Sequence, residues 1–299
     1  MQRHLAPLTA FLENDYTVYR FWEGPPAEAQ GQIRALVVAG EFPLDKALIE
    51  NLPALQLIAC FTSGYDGIDV PWCRARGLPV SHAPGVNHED VADHALGLIL
   101  AARRQIAAGD RALRAGGWTA ESKMITPSLK DQRLGVVGLG SIGAAVARRG
   151  AAMRMAVRWW GPREKPAPWA RAGSLLELAQ GSDILVIACK ADDSNRGLIS
   201  RAVIEALGPQ GLLVNVARGQ LVDEAALIAA LKDGRLGQAA LDVFEEEPTE
   251  AARWADVPNT VLTPHTGGAT TEAVQGMLML LIRNLRAAFA GEALTTPVP

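Results

Sequence analysis

The sequence predicts an α/β protein of two lobes, one of them a doubly wound parallel sheet set into the chain of the other. Three observations carry this expectation. The 299 residues are long for one core and comfortable for two. Short apolar runs alternate with helical stretches along most of the chain. After Arg133 the apolar runs are continuous rather than alternating, the pattern of strands covered by helices on both faces.

In the first hundred residues the runs at 16–21, 35–39 and 57–59 read as strands and 44–51 as a helix. The stretch 88–115 has almost no helix breaker and places Val91, Ala95, Leu98, Ile99 and Ala102 at helical spacing. It predicts one long helix ending near Gly116-Gly117. A βα series then predicts six strands, at 134–137, 156–160, 184–188, 212–216, 239–243 and 260–262. Helices are expected between most of them, at 142–152, 174–179, 201–207 and 223–232. A last helix over 272–290 is long enough to return to the first lobe. This gives a dinucleotide-type lobe of residues 97–274 inserted into a lobe of residues 1–96 and 275–299, with the cleft between them.

Composition removes several classes of function. A net charge of -3 offers no basic field to nucleic acid or an acidic membrane. Cys60, Cys73 and Cys189 are odd in number and unrelated in spacing, so neither a disulfide frame nor a zinc site is expected. His82, His88, Asp90, Asp93 and His94 match no recognised ligand spacing, so no metal is expected. The start, Met1-Gln2-Arg3-His4, has no apolar signal core, and the run ending at Arg103-Arg104 is too short to span a bilayer. A cytoplasmic protein is the expectation.

Gly138-Leu139-Gly140-Ser141-Ile142-Gly143 follows a predicted strand and opens a predicted helix. Gly138 permits the tight turn, Gly140 the approach of a pyrophosphate, and Gly143 close packing of helix on strand. The amides of Ser141, Ile142 and Gly143 at the helix start suit phosphate oxygens. With five more strands behind it the string predicts a Rossmann lobe that binds a nicotinamide dinucleotide. The next strand ends at Trp159-Trp160-Gly161-Pro162-Arg163. An NAD-selecting site places Asp or Glu about there for the ribose hydroxyl. Gly161 with Arg158 and Arg163 nearby predicts instead that NADP(H) is preferred, with NAD(H) admitted. The alternative is a plain Gly-Pro turn with solvated arginines.

Three later strand ends carry reactive side chains: Asn215 to Arg218-Gly219, Asp242 to Glu247-Pro248, and Pro264-His265 to Thr270. With these, with Ser63-Gly64-Tyr65-Asp66-Gly67-Ile68-Asp69, and with Val91-Ala92-Asp93-His94-Ala95, nearly the whole chain resembles the D-isomer-specific 2-hydroxyacid dehydrogenase family. Within it, the Asn87-to-Asp93 tract and the non-acidic strand end are most similar to the NADPH-preferring glyoxylate, hydroxypyruvate and hydroxyphenylpyruvate reductases. The resemblance implies a flavodoxin-like substrate lobe and a homodimer built through the 88–115 helix and the loop near Trp118. It implies that Arg218, Glu247 and His265 form the catalytic set for reducing a small 2-oxo acid. It places Trp160, Gly161, Pro162, Arg163, Cys189, Ala217, Asp242 and Gly267 beside the cofactor, and Ser63 and Gly64 on the substrate carboxylate.

The chemistry agrees with these roles. Histidine titrates near neutrality and passes a proton either way. A neighbouring carboxylate favours its charged form. Arginine keeps its charge and grips a carboxylate with a fork. Taken singly, each residue also has a bland reading: a strand-end arginine, one of the solvated run Glu245 to Glu247, a loop histidine. Asp242 is left between a ribose contact, tuning of the site's charge, and local structure. The chain departs from the family at Cys189-Lys190-Ala191-Asp192, where a threonine contact is usual, at Asp93 for Glu, and at Pro162 for Arg. It also begins late, so a shortened first strand is expected. Two other functions compete. A cofactor-sensing corepressor-like protein shares the fold, and a formate-dehydrogenase-like role is disfavoured by Glu247.

Overall fold

A computed structural model describes residues 3–24, 26–122 and 124–299. Met1 and Gln2, on which the reading of the start partly rests, lie outside them. The chain forms two compact units, Met1–Asn87 with Thr270–Pro299, and His88–Ala269.

The first unit opens with a 3-10 turn over Arg3–Leu8, α1 (Thr9–Leu12), a second 3-10 turn over Phe21–Glu23, and α2 (Ala27–Gln30). Then follow β1 (Ala35–Val38), α3 (Lys46–Glu50), β2 (Leu57–Cys60), α4 (Val70–Ala75) and β3 (Val80–Ser81). The three strands are parallel in the order β1-β2-β3. Side-chain alternation splits β2 cleanly: Leu57 and Ala59 enter one core, Ile58 and Cys60 the other. Asp45 and Asp69 cap α3 and α4, each accepting a first-turn amide.

The strand expected at 16–21 does not form. Tyr16, Val18 and Tyr19 instead line a groove of about 280 Å³, with Ala35 and Val37 of β1 on another wall. Their side chains are partly sheltered there, but among the described residues the backbone of 16–21 makes no ladder with the free edge of β1.

The second unit begins with α5 (His88–Arg103) and α6 (Ile106–Arg114). The single helix expected over 88–115 is therefore two. Arg103 is buried, and its guanidinium donates to the carbonyls of Gln210 and Asp183 and to Gln238 Oε1. The chain is pinned there and turns at Gln105, whose φ of 51° is left-handed. α6 buries no residue, so no core contact holds it in line with α5.

The sheet of this unit comprises β4 (Arg133–Val137), β5 (Ala156–Trp160), β6 (Ala170–Arg171), β7 (Ile184–Ile187), β8 (Leu212–Asn215), β9 (Gln238–Leu241) and β10 (Thr260–Leu262). Interleaved are α7 (Ser141–Ala152), α8 (Leu175–Gln180), α9 (Arg201–Leu207), α10 (Glu224–Lys232) and α11 (Ala251–Trp254). All strands are parallel, ordered β10-β9-β8-β7-β4-β5-β6, so the sheet winds outward both ways from β4. The two-residue β6 makes seven strands where six are expected; it is too short for periodicity to register. On β7, Leu185 and Ile187 enter one core while Ile184 and Val186 enter the other, as a sheet covered on both faces requires.

α12 (Thr271–Ala290) completes the first unit, burying Ala273, Met277, Leu281 and Leu285 over β2. The unit boundaries thus fall earlier than the 96/97 and 274/275 divisions read from sequence. α5 packs along its length on α7, β8 and β9, and the Thr270 hydroxyl caps α12 through the Ala273 amide. Among the described residues no helix is long and apolar enough to cross a membrane.

Candidate active site

Three consecutive strands of the second unit, β8, β9 and β10, end in loops that carry Arg218, Glu247 and His265. After β8, Asn215 is almost fully buried and folds the chain on itself: its Oδ1 accepts from the Ala217 amide at 3.0 Å and its Nδ2 donates to the Arg218 carbonyl at 2.9 Å. This closed turn projects Arg218, whose Nη1 donates to the Ala217 carbonyl at 2.7 Å. Gly219 follows because a β-carbon there would lie 1.8 Å from the Phe244 carbonyl carbon. The arginine loop and the glutamate loop touch backbone to backbone.

After β9, Phe244 N donates to Glu247 Oε1 at 2.9 Å, and Glu245 N donates to the buried Glu224 at 3.0 Å, which also pairs with Arg253. Glu247 is thereby turned toward His265, with 29% of its side-chain surface still exposed, while Glu245 and Glu246 are exposed beside it. After β10, His265 sits in the left-handed region at φ 53°, a conformation costing a non-glycine residue about 1–3 kcal/mol. Asp242 holds it there. This buried carboxylate accepts from Thr263 Oγ1 at 2.6 Å, Thr266 N at 2.9 Å and Gly267 N at 2.8 Å, while its own carbonyl accepts from His265 N at 2.8 Å. His94 Nε2 lies 2.9 Å from Thr263 Oγ1 and 3.2 Å from Asp242 Oδ1. Asp242 thus supports the His265 loop locally, Oδ1 taking Thr263 and Thr266 and Oδ2 taking Gly267. Gly267 serves that clamp, since a β-carbon there would stand 2.8 Å from Asp242 Oδ2.

The result is a pair, His265 Nδ1 to Glu247 Oε2, at 2.6 Å. The bond to Glu247 raises the His265 pKa above its usual value, against burial and the Arg218 charge, which push it down. Burial pushes the Glu247 carboxyl up, but the His265 ring, the Phe244 amide and the Arg218 charge outweigh it and hold the group lowered. Arg218 thus acts electrostatically on both partners. The bond fixes Nδ1 on the carboxylate, so Nε2 is the nitrogen left for chemistry.

The glycine loop follows β4. Gly138, at φ 89°, brings its backbone so near Cys189 that a β-carbon would lie 2.6 Å from Cys189 Cα. A β-carbon on Gly143 would meet the Gly138 carbonyl at 1.9 Å. One on Gly140 would meet no protein atom within 4 Å, so space is left open above the first turn of α7. Ser141 and Ile142 open that turn, whose amides lack helical acceptors. This cradle fits a dinucleotide pyrophosphate. Cys189 lies beside it with its thiol pushed up by burial to about 11, hence protonated and a poor nucleophile.

At the end of β5, the Trp160 carbonyl accepts from the Gly138 amide at 2.8 Å. Arg158 does not serve this corner; it pairs with Glu177 at 2.6 Å. Pro162 and Arg163 are exposed on the turn. Two cations absent from the sequence reading are present. Lys165 Nζ donates to the Leu139 carbonyl of the glycine loop at 3.0 Å, and Arg171 Nη2 donates to the Gly161 carbonyl at 2.7 Å. Only the pairing of β6 on β5 brings Arg171 there, so nothing local in the sequence marks it.

In the first unit, Ser63 Oγ donates to the Ala83 carbonyl at 2.6 Å, and His82 Nδ1 meets the Ser63 carbonyl at 3.0 Å. Gly64 accepts from Thr62 Oγ1 at 3.1 Å. The loop is braced through side chains and carbonyls, and no acceptor among the described residues takes the Ser63 or Gly64 amide. Asp93 pairs with Arg149 at 2.6 Å. Among the described residues no three His, Cys, Asp or Glu side chains are grouped to hold a metal.

Comparison with known proteins agrees with this geometry. Residues 96–267 match the family described as D-isomer specific 2-hydroxyacid dehydrogenase, NAD binding domain. Glyoxylate/hydroxypyruvate reductase A of Arabidopsis thaliana is 39% identical over 98% of this chain and 97% of its own. The 2-hydroxyacid dehydrogenase of Ketogulonicigenium vulgare Y25 superposes with a TM-score of 0.91 at 41% identity, covering 98% and 95% of the two chains. The NADPH-dependent glyoxylate/hydroxypyruvate reductase of Sinorhizobium meliloti, solved with NADP and malonate, gives 0.90 at 33% identity, covering 98% and 93%. A paired histidine and glutamate, an arginine whose charge acts on both, a dinucleotide cradle on the same sheet and likeness over nearly the full length lead to one conclusion: the chain belongs to the D-isomer specific 2-hydroxyacid dehydrogenase family.

Proposed function

We propose that the chain reduces a small 2-oxo acid of the glyoxylate or hydroxypyruvate type to the D-2-hydroxy acid, preferring NADPH and admitting NADH. The observation that carries this is the 2.6 Å pair of His265 and Glu247 within the field of Arg218, on the sheet that bears the glycine cradle. Reduced nicotinamide, when bound, supplies a hydride to C2. Arg218 binds the substrate carboxylate and polarises the carbonyl. His265, held protonated by Glu247, gives the proton on Nε2 to the oxygen as the alcohol forms, and solvent then reprotonates it. The unused amides of Ser63 and Gly64 are assigned to the substrate carboxylate as well.

The corepressor-like alternative finds no support among these relatives, which are named as reductases and a dehydrogenase. Oxidation of NADPH and of NADH, followed with glyoxylate, hydroxypyruvate, pyruvate and hydroxyphenylpyruvate, tests the reading. Turnover of none of the four rejects it, and equal or better kcat/KM with NADH rejects the cofactor preference.

We place the working form as a cytoplasmic homodimer. The exposed Ile106, Leu113, Trp118, Met124 and Ile125 support an apolar contact around α6 and the loop after it. Three unpaired cysteines suit a reducing compartment. Sedimentation as a monomer at micromolar concentration contradicts the dimer.

A further inference from the structure

We infer that Arg171 is the residue that selects the phosphorylated dinucleotide, gripping a 2′-phosphate beside Gly161; this rests on the NADPH preference proposed above and names the group responsible. Strand alternation puts residues 159 and 161 toward one face of the sheet, and the register pairs Trp159 with Arg171. Arg171 therefore stands on the face where an NAD-selecting acid at position 161 would project. Gly161 has no side chain, so that space is left to the guanidinium and its ligand.

The guanidinium is anchored on one side, with 30% of the side-chain surface exposed. Nη2 is anchored to the Gly161 carbonyl at 2.7 Å, and the group lies 5.8 Å from the centroid of the buried Trp159 ring. Its Nε is buried with no hydrogen-bond partner. A buried unmet donor is costly and marks a place where a partner is missing.

The protein itself offers little counter-charge. Glu164 lies 3.9 Å away and is 91% exposed, too far and too wet to neutralise the fork. Glu177 is occupied by Arg158 at 2.6 Å and the Gly173 amide at 2.8 Å. An oriented, planar fork with an unmet N–H suits a phosphate monoester. Lys165, tied to the glycine loop, adds a second positive charge to the same corner. Arg163, one residue past Pro162, is exposed on the turn, so the cation read from sequence is not the one the fold positions.

The test is calorimetric binding to the full chain and its Arg171→Gln, Arg171→Lys and Arg163→Gln variants. The ligands are NADPH, NADH, adenosine 2′,5′-bisphosphate and adenosine 5′-monophosphate. Loss of one charge-assisted contact predicts that Arg171→Gln binds NADPH and the bisphosphate roughly 10- to 100-fold more weakly. NADH and the monophosphate should bind as in the parent, and Arg171→Lys should recover part of the loss. Equal weakening of all four ligands makes Arg171 a structural brace of the Gly161 turn and overturns the inference. So does an undiminished preference in Arg171→Gln, or its loss in Arg163→Gln alone. A parent that binds NADPH no more tightly than NADH instead overturns the cofactor preference itself.

Discussion

Alanine at position 219 should separate two catalytic loops without touching either reactive side chain. In the structure a β-carbon on Gly219 would lie 1.8 Å from the Phe244 carbonyl carbon and 1.9 Å from its oxygen. Real β-carbons essentially never come closer than 3.0 Å, so the loops must part by at least 3.0 − 1.8 = 1.2 Å. Both contacts are backbone, and no rotamer change can relieve them. The Arg218 carbonyl is fixed by buried Asn215, and the Phe244 side is fixed by Glu247 and Glu224, so the strain falls on the spacing of Arg218 from Glu247 and His265. Overpacking of this kind costs about 1–3 kcal/mol of stability. At roughly 2–4 °C per kcal/mol for a unit of this size, Tm should drop by a few to about ten degrees. Misplacement of a catalytic group by about 1 Å costs on the order of 10²-fold in rate. Gly219→Ala should therefore remain folded well below its lowered Tm, bind NADPH as the parent does, and show kcat with a 2-oxo acid reduced about 10²-fold. Steady-state kinetics beside a thermal melt and a cofactor titration measure all three. A kcat within a few-fold of the parent would falsify the claim that loop spacing is held by this backbone contact.

Three further outcomes follow from the same geometry. His265→Ala should lose about 10²–10⁴ in kcat for reduction while its NADPH Kd stays unchanged; near-parental turnover removes His265 as the proton donor. Glu247→Gln removes the largest cause of the raised His265 pKa. Reduction uses the protonated ring, so its rate falls as pH rises through that pKa, and in the variant the fall should begin at lower pH; an unmoved break in the pH profile contradicts the pairing. By linkage, the stability His265 gains from the pair is fully present below its unfolded pKa and is lost as pH rises through the folded one. Gly140→Ala meets no protein atom, so Tm should hold within the error of surface substitutions, while a clash of about 1–3 kcal/mol with the pyrophosphate weakens NADPH binding about 5- to 150-fold. A large Tm loss with intact binding reverses the role given to that glycine.

Much of this protein was legible without coordinates, because the relevant forces act locally. Continuous apolar runs announce strands covered on both faces, and β4, β5, β7, β8, β9 and β10 lie where those runs lie. Glycine spacing after a strand announces a phosphate turn, since it reflects backbone approach within one βα unit. The trio Arg218, Glu247 and His265 was marked by resemblance and by its position at strand ends.

What only the tertiary structure decided involves groups brought together from distant parts of the chain. Whether 88–115 stays one helix depended on Arg103 reaching the Gln210 and Asp183 carbonyls. Whether 16–21 becomes a strand depended on its backbone pairing with the free edge of β1, whatever its side chains prefer, and that pairing does not form. Asp242 proved to be the clamp beneath His265 because strand packing delivers Thr263, Thr266 and Gly267 to its oxygens. The cation beside Gly161 comes from a two-residue strand ten positions on, where pattern is silent and register alone places it. Periodicity reports which face of an element is dry; it carries no information about which distant donor completes a buried carboxylate, and that pairing exists only once the chain has folded.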